Sequence, residues 1–175
     1  YICFLDDDDY FERDHIISLM NEIKKQNVDV VYSNSKRIFE KNDGDRFIIE
    51  KIEDPDYACR EFHPDGILIQ NLMPVNTVMF SRKSFEDTGY FDETLTVHED
   101  WDYWIRLSRK YYLHHLDKTT CAVTVRSNTM TCNQTRDFYY TMKRIHKKYS
   151  SNREEVIIAK TQLLQTVHHH NNPTT

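Results

Sequence analysis

Two clusters of side chains carry the chemistry that this sequence could do. The first is a run of four acids, Asp6-Asp7-Asp8-Asp9, set directly after the apolar stretch Tyr1-Ile2-Cys3-Phe4-Leu5. Four adjacent carboxylates repel one another. At the carboxyl end of a strand in an open α/β sheet, where ligands bind, a hard divalent cation such as Mg2+ or Mn2+ would relieve that repulsion, with phosphate oxygens and water as its other ligands. A solvated acidic turn capping the next helix accounts for the same run, so both readings stand. An EF-hand calcium loop is excluded, because no choice of first Asp sets Gly at the sixth or Glu at the twelfth loop position.

The second cluster is Gly89-Tyr90-Phe91-Asp92-Glu93 followed by His98-Glu99-Asp100-Trp101-Asp102-Tyr103-Trp104-Ile105-Arg106-Leu107. A Glu-Asp pair at the start of a helix ordinarily compensates the helix dipole. Here the pair follows a Gly-containing turn and precedes two Trp. Aromatic faces beside carboxylates suit a sugar, whose ring stacks and whose hydroxyls hydrogen-bond.

The elements that must position these groups follow from periodicity. Tyr1–Leu5 reads as a buried, parallel strand. A helix follows, with Ile16, Met20 and Ile23 on one face, and Val28–Tyr32 reads as the next strand, giving the β–α–β unit of a parallel sheet. Asn42-Asp43-Gly44-Asp45 between β-rich runs predicts a hairpin. Residues 54–72, with Pro55, Pro64 and Gly66, read as a variable loop holding one short helix. Asn76–Phe80 is a strand, and Ser84–Thr88 a short helix stopped by Gly89. Glu99–Tyr112 is a helix with Trp101, Trp104, Ile105 and Tyr111/Tyr112 as its apolar stripe, acids at its start and Arg109-Lys110 at its end. Two short strands, Leu113–Leu116 and Cys121–Val125, precede helices over Thr135–Tyr149 and Arg153–Thr166, and the tail from His168 is expected to fray.

The 175 residues suffice for one domain with a core, and 39% hydrophobic and 13% aromatic content excludes a disordered chain. A net charge of −5 argues against nucleic acid as the main partner. Cys3, Cys59, Cys121 and Cys132 form no C-x-x-C pair and are read as reduced, structural thiols. No run of about 18 apolar residues or export signal occurs, so the expected location is cytoplasmic or membrane-peripheral. A domain seldom starts in its own central strand, so residues upstream of Tyr1 are expected.

Taken together, the clusters resemble the GT-A glycosyltransferases of family 2. Phe4-Leu5-Asp6-Asp7-Asp8-Asp9 is similar to the family's D-x-D segment. Arg82 through Gly89-Tyr90-Phe91-Asp92-Glu93 to Glu99-Asp100-Trp101-Asp102-Tyr103-Trp104-Ile105-Arg106-Leu107 is similar to its G-x-F-D-E … E-D-W-D-x-W-x-R pattern. The resemblance covers roughly residues 1–126. It implies an α/β fold of GT-A type, a Rossmann-like mixed sheet flanked by helices and lacking its first strands. Residues 1–150 would be the C-terminal part of that domain, and 151–175 a C-terminal helix and flexible tail.

The resemblance also implies the chemistry: metal-dependent, inverting transfer of a sugar from a nucleotide-diphosphate sugar to an acceptor hydroxyl of a glycan, a lipid-linked molecule or a protein. Asp6 and Asp8 would be the D-x-D metal ligands for Mn2+ or Mg2+, with Asp8 in direct contact and Asp7 or Asp6 on the ribose or sugar. Asp100 takes the position of the general base. Glu99, Trp101 and Arg106 would shape the donor site, although a structural ion pair explains Arg106 equally well.

The sequence departs from the family in three ways. The nucleobase-binding N-terminal part is absent, so the chain alone is expected to bind nucleotide weakly and to be inactive. No Q-x-x-R-W occurs, which implies single additions rather than polymerisation. Asn128 stands where many relatives carry a His. His114 and His115 are read as structural, and His168-His169-His170 as a floppy tail. Competing readings are a non-catalytic carbohydrate- or protein-binding remnant of this fold and another metal-dependent phosphate enzyme. Intact acids at both clusters argue against the first, and the Glu99–Arg106 block against the second.

Overall fold

The computed structural model describes residues 1–54, 60–126 and 135–171. Asn128, Cys59 and Cys132 lie outside the described residues. The elements in chain order are β1 (Ile2–Cys3), β2 (Tyr10–Phe11), α1 (His15–Gln26), β3 (Val30–Asn42), β4 (Phe47–Glu53), α2 (Gly66–Ile69), a 3-10 turn (Val75–Thr77), β5 (Val78–Phe80), α3 (Arg82–Thr88), α4 (Glu99–Ser108), β6 (Leu113–Arg126), α5 (Thr135–Lys148) and α6 (Glu154–Asn171).

The sheet is mixed, with strand order β1-β5-β3-β6-β2 and β4 paired to the far half of β3. β3 and β6 run parallel, whereas β5 runs antiparallel to both β1 and β3. The expected parallel sense of β1 and β3 therefore holds, but β5 lies between them. The sequence-based reading of Tyr1–Leu5 as a buried parallel strand is corrected on two points. Its ladder is antiparallel, Ile2 opposite Phe80, and its strand residues are only half-buried.

Alternation along the central strands sends side chains to two cores. Val30, Tyr32, Val78 and Phe80 face the larger core with Trp101, Tyr103, Trp104 and Ile145. Val31 and Met79 face a smaller one with Leu19 and Ile23 of α1. Helices thus cover both faces, which is why these strands read as unbroken apolar runs. The buried face of α1 is His15, Leu19 and Ile23 rather than the expected Ile16, Met20 and Ile23, and Ile16 is 48% exposed.

The hairpin forms as the Asp-Gly signal predicts, with Asn42 opposite Phe47 and Gly44 at φ 77°. The two short strands expected over residues 113–125 are one strand, β6. An irregularity takes its pairing from Ser33–Leu116 to Asn34–Thr119 and Ser35–Cys121. The helix expected to reach Tyr112 ends at Ser108, because the chain must turn to bring Leu113 opposite Val30, and this leaves Tyr112 exposed. Helix α6 is longer than expected and runs through His168 to Asn171. Its Leu163, Leu164 and Val167 pack against the larger core. Cys3 and Cys121 are thiols, and burial pushes the Cys3 thiol up to about 11. Among the described residues, no helix is long and apolar enough to cross a membrane.

Candidate active site

The chain leaves β1 at Cys3 and turns back at once, with the Asp9 N–H donating to the Asp6 carbonyl at 3.2 Å. This turn puts the four acids in unequal positions. Asp9 faces the protein: its carboxylate accepts the Thr124 backbone N–H at 2.8 Å and the Asn76 side-chain amide at 3.1 Å. Asn76 is fully buried and also donates to the Ala122 carbonyl at 3.2 Å. Burial, joined by the charges of Asp8 and Asp6, pushes Asp9 up to about 7 against the pull of its hydrogen bond from Thr124. Asp9 is thus the peg of the turn, and Asp6, Asp7 and Asp8 are left to the cleft.

The second cluster reaches the same cleft through aromatic packing. Phe4, just before the turn, meets Phe91 edge to face with ring centres 5.4 Å apart, and Phe91 stacks on Tyr103 of α4 at 4.5 Å. Those rings set the first turn of α4 opposite the acidic turn. Asp6–Asp9, Asn71, Asn76, His98, Glu99, Asp100, Thr124 and Phe138 line one cleft of about 830 Å³ with apolar neighbours. No Lys or Arg stands among its described lining residues. Desolvation and the negative charges of Asp8, Glu99 and Asp7 raise Asp6 above the ordinary carboxylate range.

Asp100 is held on both oxygens, by the Trp101 backbone N–H at 2.7 Å and by the Asn71 side-chain amide at 2.7 Å. Burial pushes its carboxyl up to about 7, with Glu99 and Asp6 adding to the rise and the two hydrogen bonds opposing it. A carboxylate with an affinity for protons near neutrality can take a proton from a hydroxyl. His98 enters α4 with a left-handed backbone, φ 61° and ψ 20°. Its ring lies edge-on to Phe138 at 4.7 Å and to Trp101 at 5.4 Å. Burial lowers its pKa to about 4, so it is neutral at pH 7.

Of the residues singled out from sequence, the structure gathers Asp6, Asp7, Asp8, Glu99 and Asp100 in the cleft. Trp101 and Arg106, expected to shape the donor site, do not line it. Trp101 is fully buried, and its indole donates to the Ile67 carbonyl at 2.6 Å. Arg106 binds Asp102 at 2.9 Å and the carbonyls of Thr88 and Tyr90 at 3.0 and 2.8 Å, tying α4 to the Gly89 turn. Asp102 is wholly buried and also accepts from Lys148 and Tyr149, each at 2.7 Å. The ion-pair reading of Arg106 is the one its contacts support. His114 and His115 are structural as read, bonded to Glu22 at 3.0 Å and Asn34 at 2.7 Å.

Sequence reasoning passed over Asn71, Asn76 and His98 as site residues. A signal for Asn71 existed: it is a polar side chain inside the otherwise apolar run Gly66–Met73, beside only one other, Gln70. Among the described residues, no three His, Cys, Asp or Glu side chains converge as a ready metal cage. The acidic turn could therefore supply part of a coordination shell but not all of it.

In sequence and in fold the chain is similar to known glycosyltransferases. The chain is 28% identical over 111 residues to the uncharacterized glycosyltransferase YwdF of Bacillus subtilis (strain 168), an alignment covering 63% of this chain and 39% of that protein. Its fold matches S. aureus TarS 1-349 in complex with UDP-GlcNAc with a TM-score of 0.58 at 17% identity, over 96% of this chain and 48% of that one. TarS 1-349 in complex with UDP matches with a TM-score of 0.53 at 19% identity, over 99% of this chain and 47% of that one. The chain thus spans under half the length of each of these relatives. The fold is accordingly that of GT-A glycosyltransferases. The profile of Glycosyl transferase family 2 matches residues 1–89, which include the acidic turn and end at the Gly89 turn. With just over half of its 175 residues so matched, the chain belongs to glycosyl transferase family 2.

Proposed function

We propose that this chain forms the metal and acceptor side of an enzyme that moves a sugar from a nucleoside-diphosphate donor to an acceptor hydroxyl, with inversion at the anomeric carbon. The observation that carries the reading is the shared cleft, which Asp6–Asp8 and Glu99-Asp100 line together. One sugar must meet its diphosphate and the base at the same time, and that geometry lets it.

The residues fit a divalent cation. Asp6, Asp7, Asp8 and Glu99, with no Lys or Arg among the described lining residues, would repel a diphosphate, and a divalent cation would offset that repulsion. Asp8 and Asp6 would hold Mg2+ or Mn2+, with Asp7 turned toward the ribose or sugar, and water and phosphate oxygens as remaining ligands. When bound, the cation stabilises the charge that develops on the departing nucleoside diphosphate. The chain's own work is done at Asp100. Its carboxylate receives the proton of the acceptor hydroxyl as the oxygen attacks in line, while Glu99 and the apolar wall of Phe91, Val97 and Phe138 orient the acceptor.

The fold likeness to TarS bound to UDP-GlcNAc supports a uridine-diphosphate sugar as donor. The acceptor would be a glycan, a lipid-linked molecule or a protein, met in the cytoplasm or at a membrane surface. The test is to incubate the natural full-length protein with Mn2+, candidate acceptors and a panel of nucleotide sugars. Release of one nucleoside diphosphate with an inverted glycosidic product is expected. No acceptor-dependent release from any donor would overturn the reading.

A further inference from the structure

We infer that Asn71 is a positioning residue for Asp100, holding its carboxylate in the one orientation that receives the acceptor proton; this rests on the reading of Asp100 as the base. The side-chain amide of Asn71 donates to one oxygen of Asp100 at 2.7 Å, and the backbone N–H of Trp101 takes the other at 2.7 Å. One donor on each oxygen fixes the plane of the carboxylate and leaves each oxygen a free lone pair. The orientation of Asn71 is itself determined. Its own oxygen accepts the Met73 backbone N–H at 3.2 Å. Turning the amide over would set oxygen against carboxylate and NH2 against N–H, so only one arrangement is compatible with both neighbours.

The segment that carries Asn71 is pinned by the helix that carries Asp100. The indole of Trp101 donates to the Ile67 carbonyl at 2.6 Å, and the indole of Trp104 to the Met73 carbonyl at 3.0 Å. His146 adds a hydrogen bond to the Ile69 carbonyl at 2.8 Å. Leu72 and Met73, on either side of the Met73 bond, are buried in the larger core. Asn71 therefore sits between two fixed points that both come from α4, with its amide toward the cleft. The two Trp of the E-D-W-D-x-W block act on the site through this segment rather than by touching a ligand.

The charged groups that act on Asp100 are Glu99, beside it on α4, and Asp6, across the cleft on the acidic turn. Both favour its protonated form, as does burial, whereas the hydrogen bonds from Asn71 and Trp101 favour the ionised form. Removing the Asn71 donor must then make Asp100 harder to ionise and freer to rotate.

Three variants of the natural full-length protein test this: Asn71→Ala, Asn71→Asp and Asp100→Asn. Asn71→Ala is expected to lower kcat on the order of 10–100-fold with the donor KM unchanged, as for a misplaced catalytic group. The acid limb of its pH–rate profile should move up by about one pH unit, the size of a lost charge-assisted hydrogen bond. Asn71→Asp keeps the shape and the acceptor for the Met73 N–H, so the segment can fold, yet it exchanges a donor for a negative charge. Its acid limb should move further up than that of Asn71→Ala. Wild-type kcat and unshifted profiles in both Asn71 variants, with Asp100→Asn inactive, would overturn the inference and leave the base in place. Loss of kcat only in Asn71→Ala, accompanied by a collapsed melting temperature, would also overturn it, since Asn71 would then be structural alone. An active Asp100→Asn would instead remove the base reading itself.

Discussion

The carboxylate of Asp9 accepts the backbone N–H of Thr124 at 2.8 Å and so fastens the end of the acidic turn to β6. Four identical cleft residues in a row thereby divide into one that is also the anchor, Asp9, and three that are not. Asp9→Ala should lower stability by about 1–3 kcal/mol, because it leaves the Thr124 N–H without its acceptor and takes from the buried Asn76 amide one of its two acceptors. Asp8→Ala should leave the melting temperature near wild type and instead weaken Mn2+-dependent donor binding. Thermal melting and calorimetry with uridine diphosphate, with and without Mn2+, check the pair. Equal behaviour of the two variants would mean that the turn is not divided in this way.

Asp100→Asn should reduce turnover by about 10²–10⁴-fold with donor affinity nearly unchanged, since an amide cannot take the acceptor's proton. Turnover measured with donor and acceptor both saturating isolates this effect. If it persists near wild type, Asp100 is only an acid at a helix start. Glu99 then becomes the candidate base, because Asp92 does not line the cleft: its carboxylate binds Thr94 and Lys148 and is held down at about 2.

The raised carboxyl of Asp100 has a consequence for stability. Its affinity for a proton is higher folded, at about 7, than at the ordinary 3.8. Its contribution to stability is therefore full below about pH 4 and is lost as pH rises through about 7. Asp100→Asn removes this loss, and at pH 8 in metal-free buffer the variant should be about 1 kcal/mol more stable than wild type, the gain being reduced by the hydrogen bond an amide cannot accept. Denaturant melts of both proteins at pH 4 and pH 8 should show the variant gaining stability relative to wild type as the pH is raised. Activity should follow the opposite course and rise with pH, with its acid limb at about 7 or lower, since a cation on the acidic turn favours the ionised base.

Arg106→Ala should destabilise the fold by about 2–4 kcal/mol, because Asp102 is wholly buried and two carbonyls lose their donors. Donor KM in the folded fraction should stay at the wild-type value. A selective rise in donor KM without loss of stability would restore Arg106 to the donor site.

What the sequence made legible was local. The Asp43-Gly44 turn, the short helix stopped by Gly89 and the acids that open α4 are each written in neighbouring residues, and each forms, although the short helix starts earlier, at Arg82 behind the Ser81 cap, and α4 ends before Arg109-Lys110. The ladder partner of β1 is β5, more than seventy residues away, and nothing near Ile2 indicates its direction. β2 was missed because its two residues, Tyr10-Phe11, gain strand geometry only from Cys121 and Ala122. The cleft acids were legible because chemistry constrains residue type. Asn76 was not, and Asn71 showed only as a polar residue in an apolar run, because their importance lies in acceptors 67 and 29 residues away. The Trp pair serves another surface than the one expected: its side chains face the core, and their N–H groups hold the carbonyls of Ile67 and Met73 on either side of Asn71.

Helix α4 offers its first turn to the cleft and its indoles to the carbonyls of residues 67 and 73. The residues that line the cleft therefore differ in how freely they can change. The wall built on α4 cannot be redrawn without loosening the interior, so its residues are bound to one another as a unit. Thr96 lines the same cleft but is exposed, and there a lineage could exchange a side chain to suit a new acceptor while the proton-taking machinery stayed as it was.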